Sequence, residues 1–162
     1  GSGGGGRGVV GDVVYDGWEV SIGGGSMSSV ELALQLLMDP GDILLVEEYS
    51  FTAALDSFRS LDITIVPVKL DDHGLSPSSL REACEELKRQ QLRPKALYCV
   101  PVGQNPTGSR LPAQRYGEIY EIARVYDFAI IEDDAYFFQQ HGGASEGGAS
   151  SVGSGGSRVG VG

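Results

Sequence analysis

The sequence predicts an α/β fold: a mainly parallel sheet with helices on both faces. Three observations carry this expectation. Short apolar runs alternate with amphipathic helical stretches between residues 18 and 131. The runs at 43–46, 96–100 and 128–131 are apolar throughout rather than at every second position, as in strands covered on two sides. Proline and glycine punctuate the boundaries, most clearly at Asp39-Pro40-Gly41-Asp42.

Taken in order, residues 18–22 read as a short strand running into Gly23-Gly24-Gly25-Ser26. Val30, Ala33, Leu34 and Leu37 then fall on one face of a helix that must stop at Pro40-Gly41. A buried strand follows at 43–46, a short helix at 52–59, and a β-branched strand at 63–68. Ser76 can cap the next helix, Pro77 suits its first position, and Leu80, Ala83, Cys84 and Leu87 form its apolar stripe. A strand at 96–100 comes next. Tyr116, Ile119, Tyr120 and Ala123 then mark another amphipathic helix, and 128–131 a further buried strand.

The 162 residues suffice for one domain with its own core. Many of the 25 glycines crowd into residues 1–8 and 141–162. Neither segment has the apolar periodicity needed to bury surface, so both are expected to be flexible, leaving residues 9–140 as the folded block. A net charge of −10 argues against a nucleic-acid or membrane surface, either of which asks for a basic face. Lys88, Arg89, Arg93 and Lys95 are interleaved with or preceded by Glu82, Glu85 and Glu86, as on a solvated helix face and its exit loop. No apolar run reaches membrane-spanning length and no signal-peptide pattern opens the sequence. Cys84 and Cys99 lack metal-ligand spacing and are expected as buried thiols, which suits a cytoplasmic location.

In an open α/β sheet, ligands gather at the carboxyl ends of the strands. Four strand ends here carry unusual chemistry, and all four are expected on one edge. Gly25, Ser26 and Met27 lead into a helix, where backbone N–H groups and a hydroxyl can hold a phosphate; a glycine turn with a serine cap is the simpler alternative. Glu47, Glu48, Tyr49, Ser50 and Phe51 follow the second strand, with an aromatic ring able either to stack on a flat ligand or merely to pack. Pro101-Val102-Gly103-Gln104-Asn105-Pro106-Thr107-Gly108 pins an asparagine amide between prolines and glycines, either as an Asn-Pro turn or as a ligand contact. Glycosylation at Asn105 is excluded by the proline that follows. Glu132-Asp133-Asp134-Ala135-Tyr136 ends the last strand in carboxylates that could serve a solvated turn or a Mg²⁺ ion. No P-loop and no G-x-S-x-G elbow is present, and His73 and His141 are the only histidines.

Together these ends resemble fold-type I pyridoxal-phosphate-dependent aminotransferases of class I/II. LYCVPVGQNPTG (residues 97–108) and IIEDDAYFF (residues 130–138) look most like the aromatic amino acid and 2-aminoadipate/kynurenine aminotransferase branch. Asp39-Pro40-Gly41-Asp42, Gly74-Leu75 and the spacing between NPTG and D-x-x-Y agree, so the match covers most of residues 18–140.

The resemblance implies pyridoxal 5′-phosphate as cofactor and no metal. Asp133 would pair with the pyridine nitrogen, Asn105 and Tyr136 would donate to the phenolic oxygen, and Gly25, Ser26 and Met27 would hold the phosphate. Phe51 falls where the family places a stacking aromatic, often a tyrosine. Met27 stands where the branch commonly has a polar residue, which leaves that phosphate contact to the backbone.

It also implies an amino acid and a 2-oxo acid as substrates, and a homodimer when full length. The family's Schiff-base lysine lies downstream of D-x-x-Y, yet after Tyr136 the sequence has no lysine and a single arginine, Arg158. The chain therefore reads as a fragment of the large domain, inactive alone. Two other roles compete: a degenerate, non-catalytic cofactor-binding domain, and the aminotransferase-like effector domain of a transcriptional regulator. A lysine motif downstream would mark the enzyme, and a basic winged-helix segment upstream the regulator.

Overall fold

The structure is a computed structural model that describes residues 6–10, 13–18 and 20–136. The tail expected to be flexible at 141–162, and residues 1–5, lie outside the described residues. The remainder of the first flexible segment does not stay apart. Gly6, Arg7 and Gly8 belong to strand β1 (Gly6–Val10), which pairs antiparallel with β2 (Val13–Trp18).

Trp18 ends β2, and the strand expected at 18–22 is not formed. Val20 and Ile22 are 77% and 98% exposed. The physical reason is pairing: a strand needs a neighbour, and the β1–β2 ladder stops at Trp18. Among the described residues, the three before the run of glycines have no second ladder to join.

The central sheet is built from β3 (Ile43–Glu47), β4 (Thr64–Val68), β7 (Pro94–Cys99) and β8 (Ala129–Glu132). Its order is β4-β3-β7-β8 and every neighbouring pair is parallel. Between β4 and β7 lies a small hairpin, β5 (Leu70–Asp71) with β6 (Gly74–Leu75), too short to show as an alternation in the sequence. The helices are α1 (Ser26–Leu37), α2 (Thr52–Arg59), α3 (Pro77–Arg89) and α4 (Ala113–Tyr126).

Side-chain alternation along β3 and β7 sorts the core into two layers. Ile43, Leu45, Leu97 and Cys99 face α3 and α4, meeting Leu80, Cys84, Leu87, Ile119, Ile122 and Ala123. Leu44, Val46, Ala96 and Tyr98 face α1 and α2, meeting Val30, Leu34, Ala54 and Phe58. The expected sheet covered on both faces is therefore present.

Local chemistry explains where the helices start and stop. The Ser76 hydroxyl accepts from the Ser79 N–H at 3.3 Å and Pro77 opens α3, as the sequence indicates. On α1 the expected stripe is only partly buried: Val30 and Leu34 are in the core, whereas Leu37 turns outward and Met38, just past the helix, takes the inward place. On α4, Ile122 joins Ile119 and Ala123 in the core, while Tyr116 and Tyr120 are half-buried.

Phe58 is fully buried, with its ring edge-on to Tyr98 at a centroid distance of 5.0 Å. Phe58→Ala is expected to cost about 3–5 kcal/mol of unfolding free energy through the cavity it leaves. Leu36, 86% exposed on α1, is expected to cost under about 0.5 kcal/mol on the same change. Urea unfolding of both variants checks the assignment of α2 to the core and of this α1 face to the surface.

Candidate functional site

Because β3, β7 and β8 are parallel, their carboxyl ends share one edge of the sheet. The chain runs from β3 to β4 on one side, then returns to β7 on the other side of β3. The loops leaving β3 and β7 therefore diverge to opposite faces, α2 on one and α4 on the other. This is the topological switch point where open α/β sheets bind ligands.

A pocket of about 160 Å³ opens at this edge, lined by Ser26, Met27, Phe51, Tyr98, Val100, Asn105, Asp133, Ala135 and Tyr136. Six of the seven residues singled out from the sequence are among them. Gly25 is not; it sits just before α1 as its N-cap, with φ of 126°. The expectation of four strand ends on this edge is met by three, since the first segment is no strand. Its glycine run still delivers Ser26, through the start of α1.

The α1 end is suited to an anion. Its first intrahelical bond runs from the Ser29 N–H to the Gly25 carbonyl at 3.0 Å, so the amides of Ser26, Met27 and Ser28 precede the helical ladder. No side chain caps this end. Free N–H groups, the helix dipole and the Ser26 hydroxyl together favour a phosphate. Met27 is half-buried and packs against the core layer on this face.

Across the pocket stands Asp133. Its backbone N–H donates to the Cys99 carbonyl at 2.9 Å, continuing the β7–β8 ladder, and its Oδ2 accepts from the Tyr98 hydroxyl at 3.0 Å. One carboxylate oxygen is thus engaged by Tyr98, and that phenol is itself pushed upward in pKa by burial and by the Asp133 charge. Asp134, the next residue, is exposed and does not line the pocket. Glu132 turns to α4, where it accepts from Tyr120 at 2.9 Å. The three consecutive acids thus diverge, which does not suit a shared metal ion.

Phe51 forms one wall as the residue preceding α2, and Asn105 enters from the loop after β7. Tyr136 closes the pocket against Gly103. With φ of 63°, Gly103 allows the loop to pass so close that a Cβ there would lie 3.2 Å from the Tyr136 Cβ. The donors, carboxylate and aromatic wall fit a flat phosphorylated pyridine.

Sequence reading missed Tyr98, Gly103, Glu47 and Gln104. Tyr98 could have been noticed as a hydroxyl inside an apolar strand. The others show their importance only through tertiary contacts. Glu47 is 2% exposed, and its Oε2 accepts from the Val100 N–H at 3.2 Å and from Gln104 Nε2 at 3.0 Å. Burial raises its pKa to about 7, against the smaller opposing effect of these two neutral donors. The ionisable groups it acts on across the sheet, Tyr98 and Cys99, are both raised as well and stay neutral.

Comparison with known proteins agrees with this geometry. The fold is that of solved aminotransferases. An archaeal alanine:glyoxylate aminotransferase superposes with a TM-score of 0.71 at 36% identity, covering 74% of this chain and 30% of that one. A Pyrococcus horikoshii kynurenine aminotransferase, solved with PMP, superposes with a TM-score of 0.64 at 35% identity, covering 67% and 27%.

The Aminotransferase class I and II family matches residues 14–152, and the chain belongs to that family, whose cofactor is pyridoxal 5′-phosphate. An aromatic amino acid aminotransferase of Schizosaccharomyces pombe is 37% identical over 129 residues, which is 78% of this chain and 27% of the relative. The mitochondrial kynurenine/alpha-aminoadipate aminotransferase of Bos taurus is 40% identical over 122 residues, 72% of this chain and 29% of the relative. The chain thus spans between a quarter and a third of the length of these relatives.

Glu47 makes stability pH-dependent in a defined direction. Below its unfolded value of 4.5 both states hold the proton; between 4.5 and about 7 the unfolded carboxyl ionises first, so its contribution falls as pH rises. The stability difference between wild type and Glu47→Gln should therefore shift against wild type by about 3 kcal/mol across that interval. Urea unfolding of both proteins at stepped pH measures it. A constant difference would place the Glu47 carboxyl in an ordinary, solvated setting.

Proposed function

We propose that this chain is the cofactor-holding part of a pyridoxal-phosphate-dependent aminotransferase. The protein carrying it would move an amino group between an amino acid, aromatic or 2-aminoadipate-like, and a 2-oxo acid. One observation carries the reading: Asp133, Asn105, Tyr136 and Phe51 meet at the open N-terminus of α1 in one pocket. The curated relatives named for aromatic and kynurenine/alpha-aminoadipate substrates support the substrate class.

Bound in this pocket, pyridoxal phosphate supplies a cationic ring that accepts the electron pair left when a substrate loses its α-proton. The chain's own residues prepare that property. Asp133 holds a proton at the ring nitrogen by charge attraction and a charge-assisted hydrogen bond. Tyr98, by donating to Oδ2, orients the carboxylate and leaves Oδ1 for the ring. The Asn105 amide and the Tyr136 hydroxyl would donate to the phenolic oxygen. Ser26 and the first amides of α1 would hold the phosphate, and Phe51, one wall of the pocket, would supply an apolar face to the ring and exclude water.

Lys69, Lys88 and Lys95 are all exposed, and none lines the pocket. The chain by itself is therefore expected to bind the cofactor without a covalent bond. Borohydride treatment of the chain mixed with pyridoxal phosphate, followed by peptide mass mapping, should show no lysine labelled stoichiometrically. Full labelling of one of the three would place it in the site and overturn this account of the pocket.

Asp133→Ala in the protein carrying this chain is expected to slow transamination by about 100-fold or more, since it removes a preorganised charge opposite the reacting system. Asp134→Ala should change the rate by less than about threefold, because that exposed side chain leaves the pocket. Steady-state kinetics of the pair decides the register. Equal losses, or a larger loss for Asp134, would shift the ring-facing carboxylate by one residue and remove Tyr136 from its role.

A further inference from the structure

The functional reading leaves a buried polar pair beneath the pocket unused. Glu47 closes β3 and Gln104 sits in the loop after β7, so the two meet across the crevice at the switch point. Gln104 is 1% exposed, and all four hydrogen-bonding positions of its amide are taken. Its Nε2 donates to Glu47 Oε2 at 3.0 Å and also to the Tyr49 carbonyl. Its Oε1 accepts the Thr107 N–H at 3.0 Å and the Thr107 hydroxyl at 2.7 Å.

The backbone adds to this. The Gln104 N–H donates to the Ser109 carbonyl at 3.0 Å, and its own carbonyl accepts the Gly108 N–H. An amide satisfied at every position has one orientation, so Gln104 ties down the loop that carries Asn105. Through Tyr49 it also reaches the segment that carries Phe51, two residues further on. The Glu47 carboxylate, held additionally by the Val100 N–H, anchors the whole arrangement to the end of the sheet.

We propose that Glu47 and Gln104 are positioning residues: a buried clasp across the β3–β7 crevice that sets Asn105 and Phe51 on two sides of the pocket. A pair serving packing alone would be served as well by apolar side chains, which need no desolvation of a carboxylate. What apolar side chains cannot do is select one relative setting of two loops that leave the sheet toward opposite faces. The proposal rests on the cofactor reading only for the choice of probe.

The test uses the full chain with Glu47→Leu, Gln104→Leu and the conservative Glu47→Gln, which keeps an acceptor at the same reach. Two measurements are made: amide hydrogen exchange, and calorimetric binding of pyridoxamine 5′-phosphate and of inorganic phosphate. Both leucine variants should weaken pyridoxamine phosphate binding by about tenfold, the value of a lost orienting hydrogen bond. Inorganic phosphate, held at the α1 end, should change by less than about twofold, since its donors lie outside the clasp. Exchange should rise by about tenfold in residues 103–109 but not in α3 or α4, as for a local opening. Glu47→Gln should restore both properties.

Equal weakening for both ligands, exchange rising throughout the sheet, or no recovery in Glu47→Gln would each overturn the clasp and leave the pair as ordinary core. If wild type bound no pyridoxamine phosphate, the cofactor reading would fail. The exchange pattern would then decide the clasp on its own.

Discussion

The parallel pairing of β3 with β7 is the constraint on which the rest depends. Ile43, Leu44, Leu45 and Val46 lie in register with Pro94, Ala96, Leu97 and Tyr98, and all eight of these residues are buried. A parallel pair cannot be closed by a tight turn, so each link must cross the sheet through a helix. Because β4 lies on one side of β3 and β7 on the other, the crossovers leave the sheet in opposite directions. The crevice at the strand ends follows from this topology, before any site residue is considered. Asn105, Phe51 and Asp133 meet there because their loops leave strands whose ends are already side by side.

The crevice makes binding possible and also weakens the fold locally. Loops leaving toward opposite faces share no backbone ladder, and their polar groups must be satisfied by side chains. Glu47 and Gln104 meet that need, in a setting that holds the Glu47 carboxyl well above its ordinary pKa. A buried carboxyl near neutrality is a poor choice for stability alone. Gly103, held in a left-handed conformation against Tyr136, and the N-terminus of α1, which no side chain caps, are further departures from local optimality on the same edge. Such concentration of local cost at one place is expected where a structure has to hold a ligand.

The helices and buried strands were legible because their signals are local. Ser76 and Pro77 announce α3 through capping chemistry, and the apolar run at 43–46 announces a strand covered on both faces. Where the signal depended on a distant partner, reading failed. Residues 20–22 are apolar enough for a strand but have no neighbour to pair with among the described residues. Arg7, in a stretch rich in glycine, does have one, facing Asp16 across the β1–β2 ladder. Leu37, the last residue of α1 and of its expected stripe, turns outward, and Met38, where the chain leaves the helix, takes the inward place.

By itself the sequence determined the alternation of elements, the fold class and the motifs that identify the pocket: Ser26 at a helix start, Asn105 between prolines, and Asp133 three residues before Tyr136. These are properties of spacing and residue chemistry along the chain, so they survive without coordinates. Tertiary structure alone decided that the Tyr98 hydroxyl stands behind Asp133. It also decided that Gln104 turns inward while Asn105 lines the pocket, and that Glu47 is buried rather than solvated. The bonds from Tyr98 to Asp133, from Val100 to Glu47 and from Gln104 to Glu47 span 35 to 57 residues of sequence. Only the pairing of parallel strands brings such distant residues within hydrogen-bond reach.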